Sequence, residues 1–288
     1  MPLDYHYLMS LPPLVVQQRF SARDTIIYAL GVGAGLAAAK DPSYLQFVYE
    51  KDLTALPTMA TVLAYPGFWS QDPKYGITWR KLLQRDQLIE IHGAIPIEGE
   101  VRGEMTIDEI YDRGAEKGAL MHFSRKIFDA VRGDLIATVR QVNVLRADGG
   151  FGGPAEPELP RRSPPQGPPD RVVRLKTRPD QALLYRLSGD LNALHVDPTT
   201  ATAAGFERPI LHGLSSLGVV GLAFAGGAVE PSSRRIRRLD ARFANPVYPG
   251  ETFDVSIWRD AAGNATFEAR VVERDTVVIR DGRVEYAS

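Results

Sequence analysis

The sequence predicts an α+β fold in which an antiparallel sheet wraps around a buried helix. Residues 214–225 are apolar on nearly every side and rich in small residues, as expected of a helix buried against a sheet. Alternating or β-branched stretches follow, separated by turn residues such as Pro249-Gly250. The four expected strands span residues 236–243, 252–259, 266–273 and 276–286. One helix followed by closely spaced strands favours an antiparallel meander that covers the helix.

The first half of the chain repeats this plan in weaker form. Residues 28–33 align with residues 185–190, and residues 57–61 align with residues 209–213. In the first of these registers, Gly33, Gly35 and Ala38 stand where the second half has Asp190, Asn192 and His195. The sequence therefore predicts a duplicated unit in which only the second copy keeps the polar groups. A chance similarity between two apolar helices with glycine-rich starts is the alternative.

A tract rich in glycine and proline divides the chain near its middle. Residues 149–170 can form neither a helix nor a central strand, because glycine and proline interrupt both elements. A connection of this length fits a linker that crosses a surface. We therefore expect a first domain at residues 1–148, which supports the fold and binds substrate, and a catalytic domain at residues 171–288.

Composition narrows the classes of function. The chain has 288 residues, of which 44% are hydrophobic and 24% are charged, as in soluble globular proteins. Its net charge of −1 gives no indication of a nucleic-acid or membrane partner. With no cysteine, it has no disulfide, thiol nucleophile or thiolate metal site. The apolar run at residues 26–39 is too short to cross a bilayer, and the first residues lack the features of a signal peptide. We therefore expect a cytoplasmic protein.

Three polar side chains cluster in a segment that is rich in turn residues. Asp190, Asn192 and His195 fall within six residues, and His212-Gly213 then opens the apolar helix. A carboxylate and an imidazole that grip one water can remove one proton and return another, which suits an enzyme that adds or removes water. Two other interpretations stay open. Asp190 can cap a helix while His195 is a buried structural histidine, or Asp190, His195 and His212 can bind a metal ion.

The segment at residues 185–198 resembles the signature of MaoC-like, type-2 (R-specific) enoyl-CoA hydratases. In that signature Asn-Pro-Leu-His is usual, and Ala193 replaces the proline here. The resemblance continues in the second half at residues 205–214 and 241–250. In the first half, residues 31–34 are similar to the longer two-domain members, which include the hydratase part of peroxisomal multifunctional enzymes.

The resemblance implies a double hotdog fold, in which two repeats each wrap an antiparallel sheet around a central helix. It also implies an enzyme, a lyase that hydrates trans-2-enoyl-CoA to (3R)-3-hydroxyacyl-CoA and catalyses the reverse dehydration. No cofactor and no metal are expected, and the partner is the acyl-CoA substrate. Hotdog proteins usually pair, so we expect a homodimer. A hotdog acyl-CoA thioesterase and a non-catalytic acyl-CoA-binding subunit are the alternatives.

The resemblance also assigns roles to the clustered residues. Asp190 is the principal base, His195 completes the dyad, and Asn192 orients the pair. Gly213 corresponds to the glycine whose backbone N–H stabilises the thioester enolate. A glycine at a helix N-terminus suits this role, because its N–H has no acceptor within the helix and no side chain blocks the carbonyl.

Contacts to the substrate are expected from seven further residues: Glu50, Gln84, Arg85, Arg113, Lys117, His212 and Phe243. Phe243 matches a family position that lines the CoA site, and Arg113 or Lys117 corresponds to a basic contact to the CoA phosphates. Residues 82–87 stand where family members commonly carry Leu-His-Gly-Glu-Gln, so Gln84 and Arg85 mark a departure in acyl or CoA specificity. Because the first copy lacks the dyad, we expect it to accommodate medium to long or bulky acyl groups.

Overall fold

One antiparallel sheet runs through the molecule. The computed structural model describes residues 3–157, 167–225 and 235–287, and every strand in these ranges belongs to a single ten-stranded sheet. In chain order the strands are β1 (Leu14–Phe20), β2 (Leu82–Ile91), β3 (Gly99–Asp112), β4 (Ala119–Asp129), β5 (Leu135–Leu145), β6 (Arg171–Lys176), β7 (Ile236–Phe243), β8 (Thr252–Arg259), β9 (Ala265–Val271) and β10 (Thr276–Tyr286).

Short helices connect and cover the strands. The α-helices are α1 (Tyr5–Met9), α2 (Ala22–Gly31), α3 (Ala34–Ala38), α4 (Gln181–Tyr185), α5 (Pro198–Ala203) and α6 (Gly213–Ala225). Short 3-10 helices lie at Pro42–Phe47, Pro57–Thr61, Trp69–Gln71, Pro73–Tyr75, Trp79–Lys81, Arg186–Ser188 and Ala193–His195. Among the described residues, no helix is long and apolar enough to cross a membrane.

The strand order confirms the duplication. Along the sheet the order is β1-β3-β4-β5-β2-β7-β10-β9-β8-β6. Counted from either edge toward the centre, each half presents its first, third, fourth, fifth and second strands. Such an order repeated in full is not expected from chance similarity of two helices. The predicted α+β class and its double hotdog arrangement are therefore confirmed.

The two halves meet at the β2–β7 pair. Leu88 lies opposite Asp240 at the centre of this pair. On one side Asp86 forms an ion pair with Arg242, with Oδ1 2.7 Å from Nε. On the other side Glu90 lies opposite Arg238, with an O–N distance of 3.7 Å. An acidic residue of the first half thus faces an arginine of the second half on each side of the central Leu88–Asp240 pair.

Helix α6 is the central helix of the second half. Ten of its residues are buried, and it begins one residue before the predicted stretch. Its glycines permit close contact with the first half: a Cβ on Gly218 would overlap the side chain of Val32, and one on Gly221 would lie 2.7 Å from Thr58 Cγ2. The helix is therefore packed against both halves of the molecule.

The first half differs from the second in its central helix. The segment aligned with the start of α6 forms only the 3-10 helix Pro57–Thr61. Pro66-Gly67 follows soon after, and these residues cannot continue a helix. Arg125 of β4 donates to the carbonyl oxygens of Ala60 and Thr61 at 3.2 and 2.6 Å, which satisfies the end of the 3-10 helix. The first sheet therefore covers turns and short 3-10 helices.

The remaining predicted elements agree closely with the structure. Strands β7, β8 and β10 have the predicted bounds, whereas β9 starts one residue earlier and ends two residues earlier than predicted. The β9 strand ends because residues 272–275 form a turn in which Asp275 has a positive φ of 47°. In the predicted linker, residues 149–157 and 167–170 contain no helix or strand, and the rest of that tract lies outside the described residues.

Candidate active site

Local hydrogen bonds fold the segment that carries Asp190 and His195. The carboxylate Oδ1 of Asp190 accepts from the backbone N–H of Asn192 at 3.2 Å. Asn192 in turn caps the 3-10 helix Ala193–His195, since its Oδ1 accepts from the N–H of Leu194 at 3.1 Å. Ala193 is the first residue of that helix, a position that favours proline but accepts alanine. The substitution of the usual proline therefore keeps the turn.

The hydrogen bond of His195 determines its tautomer. Its Nδ1 lies 2.9 Å from the carbonyl oxygen of Ile210, which can only accept, so Nδ1 carries the proton. The Nε2 atom then keeps its lone pair. Burial lowers the pKa of the imidazole below its ordinary value, and the nearby charge of Asp190 opposes this shift only in part. The ring is therefore a neutral acceptor near pH 7.

His212 lies behind His195 and is not part of the cavity wall. It is 1% exposed, and its ring stacks on that of His195 with 3.7 Å between the ring centroids. Its Nε2 lies 3.2 Å from the backbone carbonyl oxygen of Asp190 and donates to it. Burial lowers the pKa of His212 to about 2. The ring is buried between Tyr185 and His195, and contact of His212 with the substrate stays a prediction.

The same three residues have the spacing of a metal site. Asp190, His195 and His212 each offer one ligand atom, and these atoms lie within 4.8 Å of one another. The hydrogen bond to the Asp190 carbonyl uses Nε2 of His212, which leaves its buried Nδ1 without a partner among the described residues. The expectation of a metal-free site stays a prediction.

Gly213 begins α6 beside the dyad. Among the described residues, its N–H has no hydrogen-bond acceptor, as expected in the first turn of a helix. A Cβ at this position would lie 3.5 Å from the ring of Phe243 and would meet nothing closer. The N-terminus of a helix carries a partial positive charge. The amide is therefore available to an oxygen that gains negative charge.

A cavity of about 530 Å³ joins these groups to the first half. Its wall in the second half includes Asp190, Asn192, His195, Gly213 and Phe243. Its wall in the first half includes Tyr65, Phe68, Trp69, Ser70, Leu82, Gln84, Phe123, Gln141, Asn143 and Arg146. The volume lies in the usual range for small-ligand sites. The space left by the short central helix of the first half is thus continuous with the dyad.

Gln84 and Arg85, which depart from the family motif, lie in two different environments. Gln84 lines the cavity. Arg85 does not: its guanidinium forms ion pairs with Asp86 at 2.8 Å and Glu156 at 3.2 Å. The register of β2 against β5 shifts between Gln84 and Asp86, so Arg85 is an extra residue in a β-bulge. Contact of Arg85 with the substrate stays a prediction.

Three other predicted contacts lie away from the cavity. Arg113 and Lys117 are exposed in the turn between β3 and β4, and Glu50 is exposed in a turn after the 3-10 helix Pro42–Phe47. None of them lines the cavity that holds the dyad, and contact of these three residues with the substrate stays a prediction. The cation that does line it is Arg146, which is exposed and has no ion pair within the described parts of the chain.

Sequence reasoning misses the polar side chains that β5 contributes. Gln141 and Asn143 alternate along this strand, so they share one face of the sheet. Polar residues at alternate positions of a strand with apolar neighbours are a signal that the sequence contains. Their position in the same cavity as Asp190 is not, since it depends on the pairing of strands from both halves.

Comparisons with known proteins give the family. Residues 161–281 match the MaoC like domain, and residues 19–147 match the MFE-2 hydratase 2 N-terminal domain. The chain is 40% identical over 280 residues to 3-hydroxyacyl-thioester dehydratase Y of Mycobacterium tuberculosis, which covers 92% of each protein. It is 33% identical over 282 residues to peroxisomal enoyl-CoA hydratase 2 of Arabidopsis thaliana, which covers 90% of this chain and 88% of that protein.

A solved structure agrees with this similarity. The crystal structure of a MaoC-like dehydratase from Phytophthora capsici matches with a TM-score of 0.84 and 31% sequence identity, and the match covers 98% of both chains. Two adjoining domain matches thus span both repeats, and the chain belongs to the MaoC-like family in its two-domain form, with an MFE-2 hydratase 2 N-terminal domain.

Proposed function

We propose that the protein catalyses the reversible, R-specific hydration of trans-2-enoyl-CoA to (3R)-3-hydroxyacyl-CoA. The observation that carries the proposal is that Asp190, His195 and Gly213 line one cavity. Relatives named enoyl-CoA hydratase and 3-hydroxyacyl-thioester dehydratase, at 33% and 40% identity over nearly the whole chain, support this reaction. The reaction belongs to fatty-acid metabolism, where it is the hydration step of β-oxidation.

Hydration requires one base and one return of a proton. The neutral Nε2 of His195 accepts a hydrogen bond from the attacking water, while the carboxylate of Asp190 removes a proton as the oxygen bonds to C3. The C2–C3 π electrons move toward the thioester, and the Asp190 carboxyl then returns the proton to C2. Atoms and charge balance without a further reagent. Since oxygen and proton come from the same wall, the addition is syn.

The thioester oxygen carries negative charge during this step. The N–H of Gly213 at the start of α6 is the proposed donor to it, because the helix terminus is positive and this amide has no acceptor among the described residues. Phe243 packs beside this position and limits access of water. The polarised thioester is what makes C3 electrophilic, so the amide and the dyad act on one substrate.

The test is the loss of enoyl-thioester ultraviolet absorbance with crotonyl-CoA and trans-2-decenoyl-CoA. We expect wild type to hydrate them to the R alcohol, and Asp190→Asn and His195→Gln to lose about 10²–10⁴-fold in kcat, the usual contribution of a general base. An R-specific 3-hydroxyacyl-CoA dehydrogenase reads the product. Melting curves of both variants establish that they fold. Folded wild type that leaves both substrates unchanged, or that releases free CoA from saturated acyl-CoA, contradicts the proposal.

The cavity supports a preference for medium to long or bulky acyl groups. Aromatic residues of the first half, including Phe68, Trp69 and Phe123, extend it beyond the dyad. Burial of each additional methylene contributes about 0.8 kcal/mol. Higher kcat/KM for trans-2-decenoyl-CoA than for crotonyl-CoA is therefore expected, and equal or better use of the shorter substrate contradicts it.

We further propose a cofactor-free homodimer in the cytoplasm. The mechanism above is complete with side chains and water, so dialysis against EDTA should leave the rate unchanged. A chain without cysteine suits a compartment in which disulfides are rare. Light scattering after gel filtration should give twice the mass of the 31.7 kDa chain. Cell fractionation tests the compartment.

A further inference from the structure

Three carboxamide side chains form a polar patch on the wall of the cavity that the first half contributes. Gln84 of β2 and Gln141 and Asn143 of β5 all line the first-half wall, and we call them the carboxamide wall. Gln84 and Asn143 are directly opposite each other in the antiparallel β2–β5 pair. Gln141 and Asn143 are two residues apart on one strand, so their side chains lie on one face. The sheet therefore presents the three amides together.

The carboxamide wall is only partly hydrogen-bonded within the protein. Nε2 of Gln141 donates to Oδ1 of Asn143 at 2.8 Å, and Nε2 of Gln84 donates to Oε1 of Gln87 at 2.8 Å. Among the described residues, Nδ2 of Asn143 and the Oε1 atoms of Gln84 and Gln141 have no hydrogen-bond partner. Exchanging amide N and O atoms changes which atoms are open but still leaves open groups.

These open groups are deeply placed. Asn143 is 6% exposed, and the neighbouring cavity residue Ser70 is 4% exposed. The hydroxyl of Ser70 also has no hydrogen-bond partner among the described residues. Leaving a buried polar group unpaired costs about 1–3 kcal/mol, so such groups in native proteins have partners. None of these atoms is among the fully buried unpaired polar atoms of the described residues, so each can be reached from the cavity, where water or a ligand supplies its partner.

The surroundings indicate the chemistry of that partner. Phe68, Trp69, Leu82 and Phe123 line the same part of the cavity and suit an apolar body. The amides and the Ser70 hydroxyl carry no charge, so they match a neutral group that donates or accepts hydrogen bonds. A plain hydrocarbon chain would displace water from the carboxamide wall without replacing its hydrogen bonds, which reduces affinity.

We propose that the acyl groups used by this protein carry a hydroxyl or carbonyl oxygen beyond the reacting C2–C3 bond, and that the carboxamide wall binds this oxygen. The inference rests on the proposed function for the identity of the thioester. It deepens that function, because it distinguishes an oxygen-bearing acyl substrate from a simple fatty acyl chain. Gln84, Gln141 and Asn143 are then specificity-determining residues.

The test measures binding without turnover. Decanoyl-CoA, 10-hydroxydecanoyl-CoA and 8-hydroxyoctanoyl-CoA lack the C2–C3 double bond and cannot be hydrated, so calorimetry gives their Kd directly. We expect at least one hydroxylated thioester to bind about tenfold tighter than the unsubstituted chain of the same length, with octanoyl-CoA as the second reference. Gln141→Met and Asn143→Leu have similar shapes without amides and should abolish this ratio. Gln17→Met, on the exposed side of β1, is the matched control and should keep it.

Four outcomes would overturn the inference. The first is that the hydroxylated and plain chains bind to wild type with equal Kd. The second is that the ratio of their Kd values survives in both folded variants. The third is that an ω-carboxylated acyl-CoA binds tightest, which would assign the choice of acyl group to a charged residue such as Arg146. The fourth is that the variants weaken binding of free CoA as much as binding of every acyl-CoA, which would make the carboxamide wall a contact to CoA. Hydration of crotonyl-CoA by wild type is scored separately, so failure of the proposed reaction is distinguishable from failure of this specificity.

Discussion

The Nε2 atom of His195 is arranged to accept a hydrogen bond rather than to donate one. Its Nδ1 is engaged by the carbonyl of Ile210, which leaves Nε2 as the acceptor. The ring stacked on it, His212, adds no positive charge near pH 7, because burial lowers its pKa to about 2. A protonated His212 at this distance would act on His195 by repulsion of like charges. The neutral His212 avoids this effect.

We expect the acid limb of the pH–rate profile for hydration to have a midpoint below pH 6.5. Burial lowers the pKa of His195 from its ordinary value of 6.5, so the lone pair on Nε2 persists to lower pH and is lost as pH falls further. Measurement of kcat/KM against pH with crotonyl-CoA gives the midpoint. In His195→Gln the part of the acid limb that is due to His195 should disappear. If that part has its midpoint above pH 6.5, the imidazole is not desolvated during turnover.

Sequence reasoning identifies the residues that are close along the chain. Asp190, Asn192 and His195 belong to one turn that their own hydrogen bonds fold, so a local pattern contains the arrangement. Glu50 depends on the resemblance alone, and its position follows from the path of a loop that no local pattern determines. Gln141 is missed because its distance from the dyad depends on strands paired across two domains.

At the scale of elements, the N-terminus of α6 combines two uses of glycine. Gly213 borders the cavity and has room for a methyl group, since the closest atom to a Cβ there is 3.5 Å away on Phe243. Gly218, further along the helix, has none because Val32 of the first half packs against it. One glycine keeps space for a ligand, whereas the other keeps space for the neighbouring domain.

Gly213→Ala and Gly218→Ala should therefore separate activity from stability. Gly213→Ala should keep or raise the melting temperature, because alanine favours helix by about 1 kcal/mol, but lower kcat at least about tenfold by obstructing the thioester oxygen. Gly218→Ala should destabilise by about 1–3 kcal/mol through overpacking against Val32. Thermal unfolding and initial rates measure both. Full activity in a folded Gly213→Ala variant would show that the thioester oxygen does not approach the Cα of Gly213 closely.

The size of the central helix is the element that the sequence predicts least well. Alignment of residues 57–61 with residues 209–213 is correct in position, yet only the second segment continues as a long helix. The cause of the shorter helix is visible in the sequence as Pro66-Gly67. The cavity beside the dyad is not visible there, because a cavity is space between elements and no residue pattern encodes it. A periodic pattern predicts what is present more readily than the space between elements.

At the scale of the whole molecule, the two halves share one sheet and several helix contacts. The β2–β7 pair makes the sheet continuous, and α6 of the second half packs on Val32 and Thr58 of the first half. The weak internal repeat of the sequence predicts the duplication, although neither the register of β2 against β7 nor the ion pairs across it follow from the repeat. The register and the ion pairs depend on how the two halves of the sheet are brought edge to edge.

We expect the full chain to unfold in a single thermal transition, even though it carries two domain matches. Separation of the halves would expose β2 and β7 as unpaired edges and uncover the glycine face of α6, so neither half is stable without the other. Calorimetry should give one peak with equal calorimetric and van't Hoff enthalpies. Asp86→Asn weakens the partly exposed ion pair with Arg242 across the junction, so it should destabilise by about 1 kcal/mol and lower the midpoint by a few degrees without splitting the peak. Two resolved transitions in either protein would mean that the domains are independent, and the cavity between them would then open by local separation rather than be held by the shared sheet.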